Sequence, residues 1–92
     1  MRTYMISYDL GIPESSDDYK KIIEYIKALG TWAKPLKSQW FVVSSKDAGD
    51  IVDDLMSLTD KNDKLLVIDV SNDYWVAARL SDGAIKWMNE NM

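Results

Sequence analysis

Apolar and polar residues alternate strictly at the start of the chain: Tyr4, Ile6 and Tyr8 fall on one side, Thr3, Met5 and Ser7 on the other. Period two predicts a strand over 3–8, with Asp9 at its C-terminal end. The period then lengthens. Tyr19, Ile22, Ile23, Ile26 and Leu29 lie at helical spacing behind Ser15 or Ser16 as cap, with Asp17 and Asp18 in the first turn and Gly30 as the stop. Thr31–Lys34 and Gln39–Ser44 return to strand character. Pro35 confines the first of these to a sheet edge or a strand end, and the two can pair as a hairpin. Asp47 caps a second helical stretch whose stripe is Ala48, Ile51, Val52, Leu55 and Leu58.

The nearly continuous apolar run Leu65–Val70 suits a strand covered on both faces or buried in a dimer. Tyr74–Leu80 reads as a fifth strand. Ser81 caps a short helix through Asn91 with Ile85 and Met88 on one side. The order β-α-β-β-α-β predicts an α+β, ferredoxin-like domain over residues 1–80. An additional C-terminal strand and a short helical extension over 81–92 follow the core. Ninety-two residues are too few for two independent cores.

Composition narrows the chemistry. The chain has no cysteine and no histidine, which excludes disulfides, thiolate metal sites, Ser-His-Asp catalysis and imidazole zinc sites. Acid–base work falls to Asp, Glu, Lys, Tyr or a metal-bound water. No run approaches the length of a membrane span, and the first residues lack the apolar core and small-residue cleavage site of a signal peptide. A cytoplasmic location with no membrane partner is the expectation. The net charge of −4 is unevenly spread. Residues 20–46 carry six lysines against Glu24, and residues 47–63 carry six aspartates against Lys61. The two stretches read as solvated faces of opposite sign, or as a phosphate-binding surface and a surface for a basic protein partner.

Asp9 is the sharpest chemical candidate, since a carboxylate at a strand end suits either a hard cation or the amides of the Gly11 loop. Asp69, inside an apolar strand, either faces solvent or pairs with Arg79. Among the tryptophans, Trp40 and Trp75 read as core or dimer packing. Trp32, flanked by lysines, is the one expected to be most exposed.

Four ordered features carry a family resemblance: Tyr8-Asp9 closing the first strand; Tyr19 opening a helix that ends at Gly30; Leu36-Lys37-Ser38-Gln39-Trp40-Phe41-Val42; and Asn62-Asp63-Lys64-Leu65-Leu66-Val67. In these the chain resembles the CRISPR-associated "Cas two" family, and within it the stand-alone SinR-like proteins, with Gly30-Thr31-Trp32 as a shared stretch, and the virulence-associated protein D relatives. The resemblance implies a homodimer in which Tyr74–Leu80 joins the partner's sheet and Asp9 faces its symmetry mate. On that reading Tyr8, Asp9, Trp75 and Val76 lie at the dimer interface. Asp9 is the catalytic residue and the ligand of Mg²⁺ in a metal-dependent endonuclease acting on RNA or DNA. Lys34, Lys37 and Ser38 contact nucleic acid. The same resemblance also allows a non-catalytic dimeric module that binds a protein or small ligand. The stretch Thr31–Lys37 departs from the CRISPR branch in holding two separated lysines and no arginine.

Overall fold

The computed structural model describes residues 1–11 and 17–92. The Ser15 or Ser16 cap lies outside the described residues. Within them the chain forms β1 (Arg2–Asp9), α1 (Asp17–Leu29), β2 (Trp32–Leu36), β3 (Gln39–Ser44), α2 (Ala48–Ser57), β4 (Lys64–Asp69) and α3 (Asp82–Asn91). The strands make one antiparallel sheet in the order β2-β3-β1-β4, the ferredoxin-like arrangement that the element order implies.

The period-two pattern of β1 decides which side chains meet the helices. Tyr4, Ile6 and Tyr8 point to one face. There Trp40 and Val42 of β3 join Ile22 and Ile26 of α1 and Ile51 and Leu55 of α2 in a single buried cluster. Asp47 caps α2 as expected, its carboxylate accepting from the Asp50 amide at 2.9 Å. Gly30 ends α1 for a reason other than a left-handed cap, since no glycine has positive φ. A Cβ at Gly30 would overlap the Val43 carbonyl oxygen, so the residue is held to glycine by close backbone approach. Pro35 sits inside β2, where an edge strand tolerates the missing N–H, and the β2–β3 register shifts between Ala33 and Leu36.

The second sheet face is only half covered. α3 packs there, with Ala84 and Met88 buried, Trp87 stacked on Phe41 at 6.4 Å, and Thr3 Oγ1 donating to the Asn91 carbonyl at 2.6 Å. Ser81 caps it by accepting from the Ala84 amide. This layer lies over β2 and β3. On the β1–β4 half, the cross-strand pairs Met5–Ile68 and Ser7–Leu66 have no helix above them, and Leu66 and Ile68 are 51% and 41% exposed. β4 is therefore an edge strand that the chain covers on one face only.

The expected fifth strand does not form within the chain. Tyr74–Leu80 carries no ladder pairing. Asp69 and Ser71 lock the exit from β4, the Ser71 amide donating to Asp69 Oδ1 at 3.0 Å and the Thr3 amide to Ser71 Oγ at 2.8 Å. Asn72 then turns the chain with φ 60°. The segment crosses the second face and lays Trp75 against the groove of Phe41, Leu36 and Met88. Burying half an indole there competes with pairing along an open edge, and in one chain the burial wins.

Candidate functional site

β1 delivers Asp9 to the end of the sheet where the β2–β3 turn also lies. The Tyr8 amide donates to the Ser38 carbonyl at 3.3 Å, which brings Ser38 and its neighbour Lys37 to that end. Asp9 pairs in register with Lys64, the first residue of β4. Ser7, Tyr8, Asp9, Lys64, Leu65 and Leu66 line a shallow depression of about 240 Å³. Ser7 Oγ accepts from Gln39 Nε2 at 3.3 Å, so its own hydroxyl hydrogen stays available to an acceptor in front of it.

The carboxylate of Asp9 is exposed, and no described residue makes a hydrogen bond or ion pair with it. The Gly11 amide is held by Asp63 Oδ1 at 2.9 Å and not by Asp9, and the rest of that loop lies outside the described residues. Among the described residues Asp9 is thus an unpartnered oxygen donor at the polar corner of the uncovered apolar half-face. It stands alone: among the described residues no three carboxylates, imidazoles or thiols come together to hold a metal ion.

The other expected site residues divide. Lys34 and Lys37 are exposed along the β2 edge and Ser38 is half-buried in the turn. Tyr8 does not face the open side. It is buried among the helices, ring edge to Tyr19 at 5.8 Å, its hydroxyl accepting from Trp40 Nε1 at 3.1 Å. The alternation that exposes Asp9 and Ser7 turns Tyr8 inward, so its side chain belongs to the core and not to an interface. Trp75 is half-buried over the β2–β3 half of the sheet and Val76 is 79% exposed beside it. Asp69 is bound by Arg2 at 2.7 Å and not by Arg79, whose φ of 65° belongs to the crossing segment. The backbone and side-chain hydrogen bonds from Ser71, then Arg2, hold the Asp69 carboxyl below its ordinary value.

Two clusters have no one-dimensional signature. Asp54 on α2 accepts from Lys46 Nζ at 2.7 Å and from the Tyr25 hydroxyl at 2.5 Å. The Lys46 bond, then the Tyr25 bond, push the Asp54 carboxyl down, while burial and then Asp54 push the Tyr25 hydroxyl up. At the opposite sheet edge, Trp32 meets Trp40 edge to face at 5.2 Å, with Lys27 Nζ 4.8 Å from the Trp32 ring and Lys34 Nζ 5.1 Å from the Trp40 ring. Lys27 and Trp32 are separated by a helix stop, and only the packing of α1 on the sheet joins them.

No family model matches the chain, and no curated protein aligns with it. Among solved structures it is similar to a hypothetical protein, TT1823, from Thermus thermophilus. The two superpose with a TM-score of 0.65 at 18% identity, covering 87% of this chain and 94% of that one. That likeness shows the fold and carries no residue role.

Proposed function

We propose that the chain works as a homodimer closed through the open β1–β4 half of its second sheet face, and that the seam is the active site of a Mg²⁺-dependent endonuclease. The observation that carries this is the pairing of an unpartnered, exposed Asp9 with an uncovered apolar strand beside it. Exposed Leu66 and Ile68 side by side are costly in water and are relieved by a second copy. A two-fold axis next to Asp9 supplies the second carboxylate that one chain lacks.

The donor set fits the ion. Mg²⁺ takes hard oxygen ligands and commonly uses one or two carboxylates together with water and phosphate. The two Asp9 carboxylates would hold it, and the bound ion supplies an acidified water and charge neutralisation at the phosphodiester. The chain's own groups do the rest. Lys64, opposite Asp9, places positive charge where a phosphate oxygen gains negative charge. The Ser7 hydroxyl is placed to donate to another, and Lys37 and Ser38 border the same end of the sheet. Leu66 and Ile68, once covered, keep bulk water from the seam.

The direct experiment incubates labelled RNA and DNA with the protein and Mg²⁺ or Mn²⁺, beside an EDTA control and Asp9→Asn. Metal-dependent cleavage lost in Asp9→Asn by at least a hundredfold supports the reading. Equal cleavage by the variant, or none with either metal, ends it.

A second reading keeps the dimer without catalysis. It is favoured by the depression of about 450 Å³ between α2 and β4, where Val52, Met56 and Leu65 form an apolar floor and Asp60 and Asp63 outnumber Lys61 at its polar side. Met56 is 60% exposed there. Such a surface suits a basic, amphipathic segment of a partner protein. Cleavage-negative dimers that bind a Lys-rich amphipathic peptide, and lose it with Met56→Lys, would select this reading.

A further inference from the structure

β2 is the outer strand at the side of the sheet away from β4, and only β3 pairs with it. The Val43 amide donates to the Thr31 carbonyl at 3.0 Å, so Thr31 and Val43 form a hydrogen-bonded pair. Such pairs alternate along an antiparallel ladder, and Ala33–Phe41 is therefore the next one. Trp32, opposite Val42, lies between them. Its N–H and C=O point away from β3, and so do those of Lys34. Pro35 comes after both, where the register shifts, and takes no donor from this part of the outer row.

The two faces of this edge differ. On the face that α1 and α2 cover, Trp32 meets Trp40, Lys34 Nζ lies 5.1 Å from the Trp40 ring and Lys27 Nζ 4.8 Å from the Trp32 ring. On the second face, Ala33 sits beside Phe41 and the Trp87 ring stacked on it. A depression of about 250 Å³ runs along the outside of the edge, between Trp32, Ala33 and Lys34 and the Gly83, Ala84 and Trp87 positions of α3. The α3 wall is low, because a Cβ at Gly83 would meet nothing within 4 Å. None of the described residues lining the depression is acidic, in a chain whose net charge is −4.

A row of free N–H and C=O groups beside a 39% exposed indole is a template for an extended segment. Charge selects the segment: Lys27 and Lys34 repel a second copy of the same edge and attract carboxylates. The face alternation sets its pattern. In an antiparallel pair, residues directly opposite Trp32 and Lys34 place their side chains on the lysine face. The residue between them places its side chain on the second face, over Ala33 and beside Trp87.

We propose that the β2 edge binds an extended acidic segment of a partner protein, added as an antiparallel strand with carboxylates toward Lys27 and Lys34 and an apolar residue between them beside Trp87. This edge lies across the sheet from the seam, and the site stands whether or not the seam cleaves.

Fluorescence anisotropy of a labelled seven-residue peptide alternating Glu and Val tests the edge. The peptide binds saturably, at least tenfold more tightly than a Gln/Val peptide of the same alternation, and more weakly as salt rises. N-methylation separates strand addition from plain charge attraction. Glu residues opposite Trp32 and Lys34 turn their amides toward β2, so methylating the Glu nitrogens weakens binding at least tenfold. Methylating the Val nitrogens, which face solvent, changes it less than twofold. Both arms leave the protein untouched. Gly83→Leu fills the depression and Lys34→Glu reverses its charge; each lowers affinity at least tenfold, with thermal melting as the check on folding. Amide hydrogen exchange at Trp32 and Lys34 slows in the complex. Asp9→Asn leaves peptide affinity unchanged, so the seam and the edge fail independently. Absence of saturable binding, equal affinity for the Gln/Val peptide, equal effects of the two methylation patterns, or unchanged exchange at Trp32 and Lys34 overturns the proposal.

Discussion

Single residues here act through what lies opposite them. Gly30 faces the Val43 carbonyl, and Gly30→Ala forces the α1–β2 connection away from β3. Urea unfolding should register a loss of roughly 1–3 kcal/mol, the usual range for overpacking a tight site. Asp54 acts through charge. Its folded pKa lies below the ordinary 3.8 because Lys46 and Tyr25 bond the ionised form. Its contribution is therefore fully present above the unfolded value and is lost as pH falls through the folded one. Wild type should exceed Asp54→Asn in stability at neutral pH, and the gap should close in acid unfolding curves. Tyr25, whose folded pKa is raised, works at the other end: its contribution holds below pH 10 and is lost as pH rises beyond it. Asp9 was legible at this scale as an exposed strand-end carboxylate. Tyr8 was not, since the resemblance implied an interface and the alternation of β1 turned its ring into the core.

At the scale of elements, period and capping carried most of the information. β1, β3, both covering helices and the caps Asp47 and Ser81 lie where the pattern places them, because each is decided by local hydrogen bonds and one apolar stripe. Ser81→Ala removes the acceptor for the Ala84 amide and should cost about 1 kcal/mol, read from thermal melts as loosening of α3 from the sheet. Tyr74–Leu80 shows where the pattern ends. Its aromatic residues and Val76 suit a strand, but strand formation needs an edge in register. Asp69, Ser71 and Asn72 send the chain across the sheet face instead. The Arg2–Asp69 bridge and the Lys46–Asp54–Tyr25 cluster join residues 67 and 8 to 29 positions apart, distances that no single-sequence period reports.

In the whole molecule, the second sheet face has two unlike halves. α3 and the crossing segment cover the β2–β3 half, while Leu66, Ile68, Met5 and Ser7 remain uncovered next to Asp9. An apolar half-face and an unpaired carboxylate at its corner make sense together if a second copy closes over both. Leu66→Glu should leave the fold intact, since the side chain is 51% exposed in one chain, yet drive the protein to monomer in sedimentation equilibrium. The most direct test uses the chain's lack of cysteine. Asp9→Cys introduces a single thiol, and a short bis-maleimide joins two thiols only when they approach across the seam. Rapid conversion to a covalent dimer of twice 10.5 kDa is expected, with Glu24→Cys, exposed on α1 over the opposite sheet face, staying monomeric on the same gel. Asp9→Cys that remains monomeric, or cross-links no faster than Glu24→Cys, would contradict the paired-Asp9 seam.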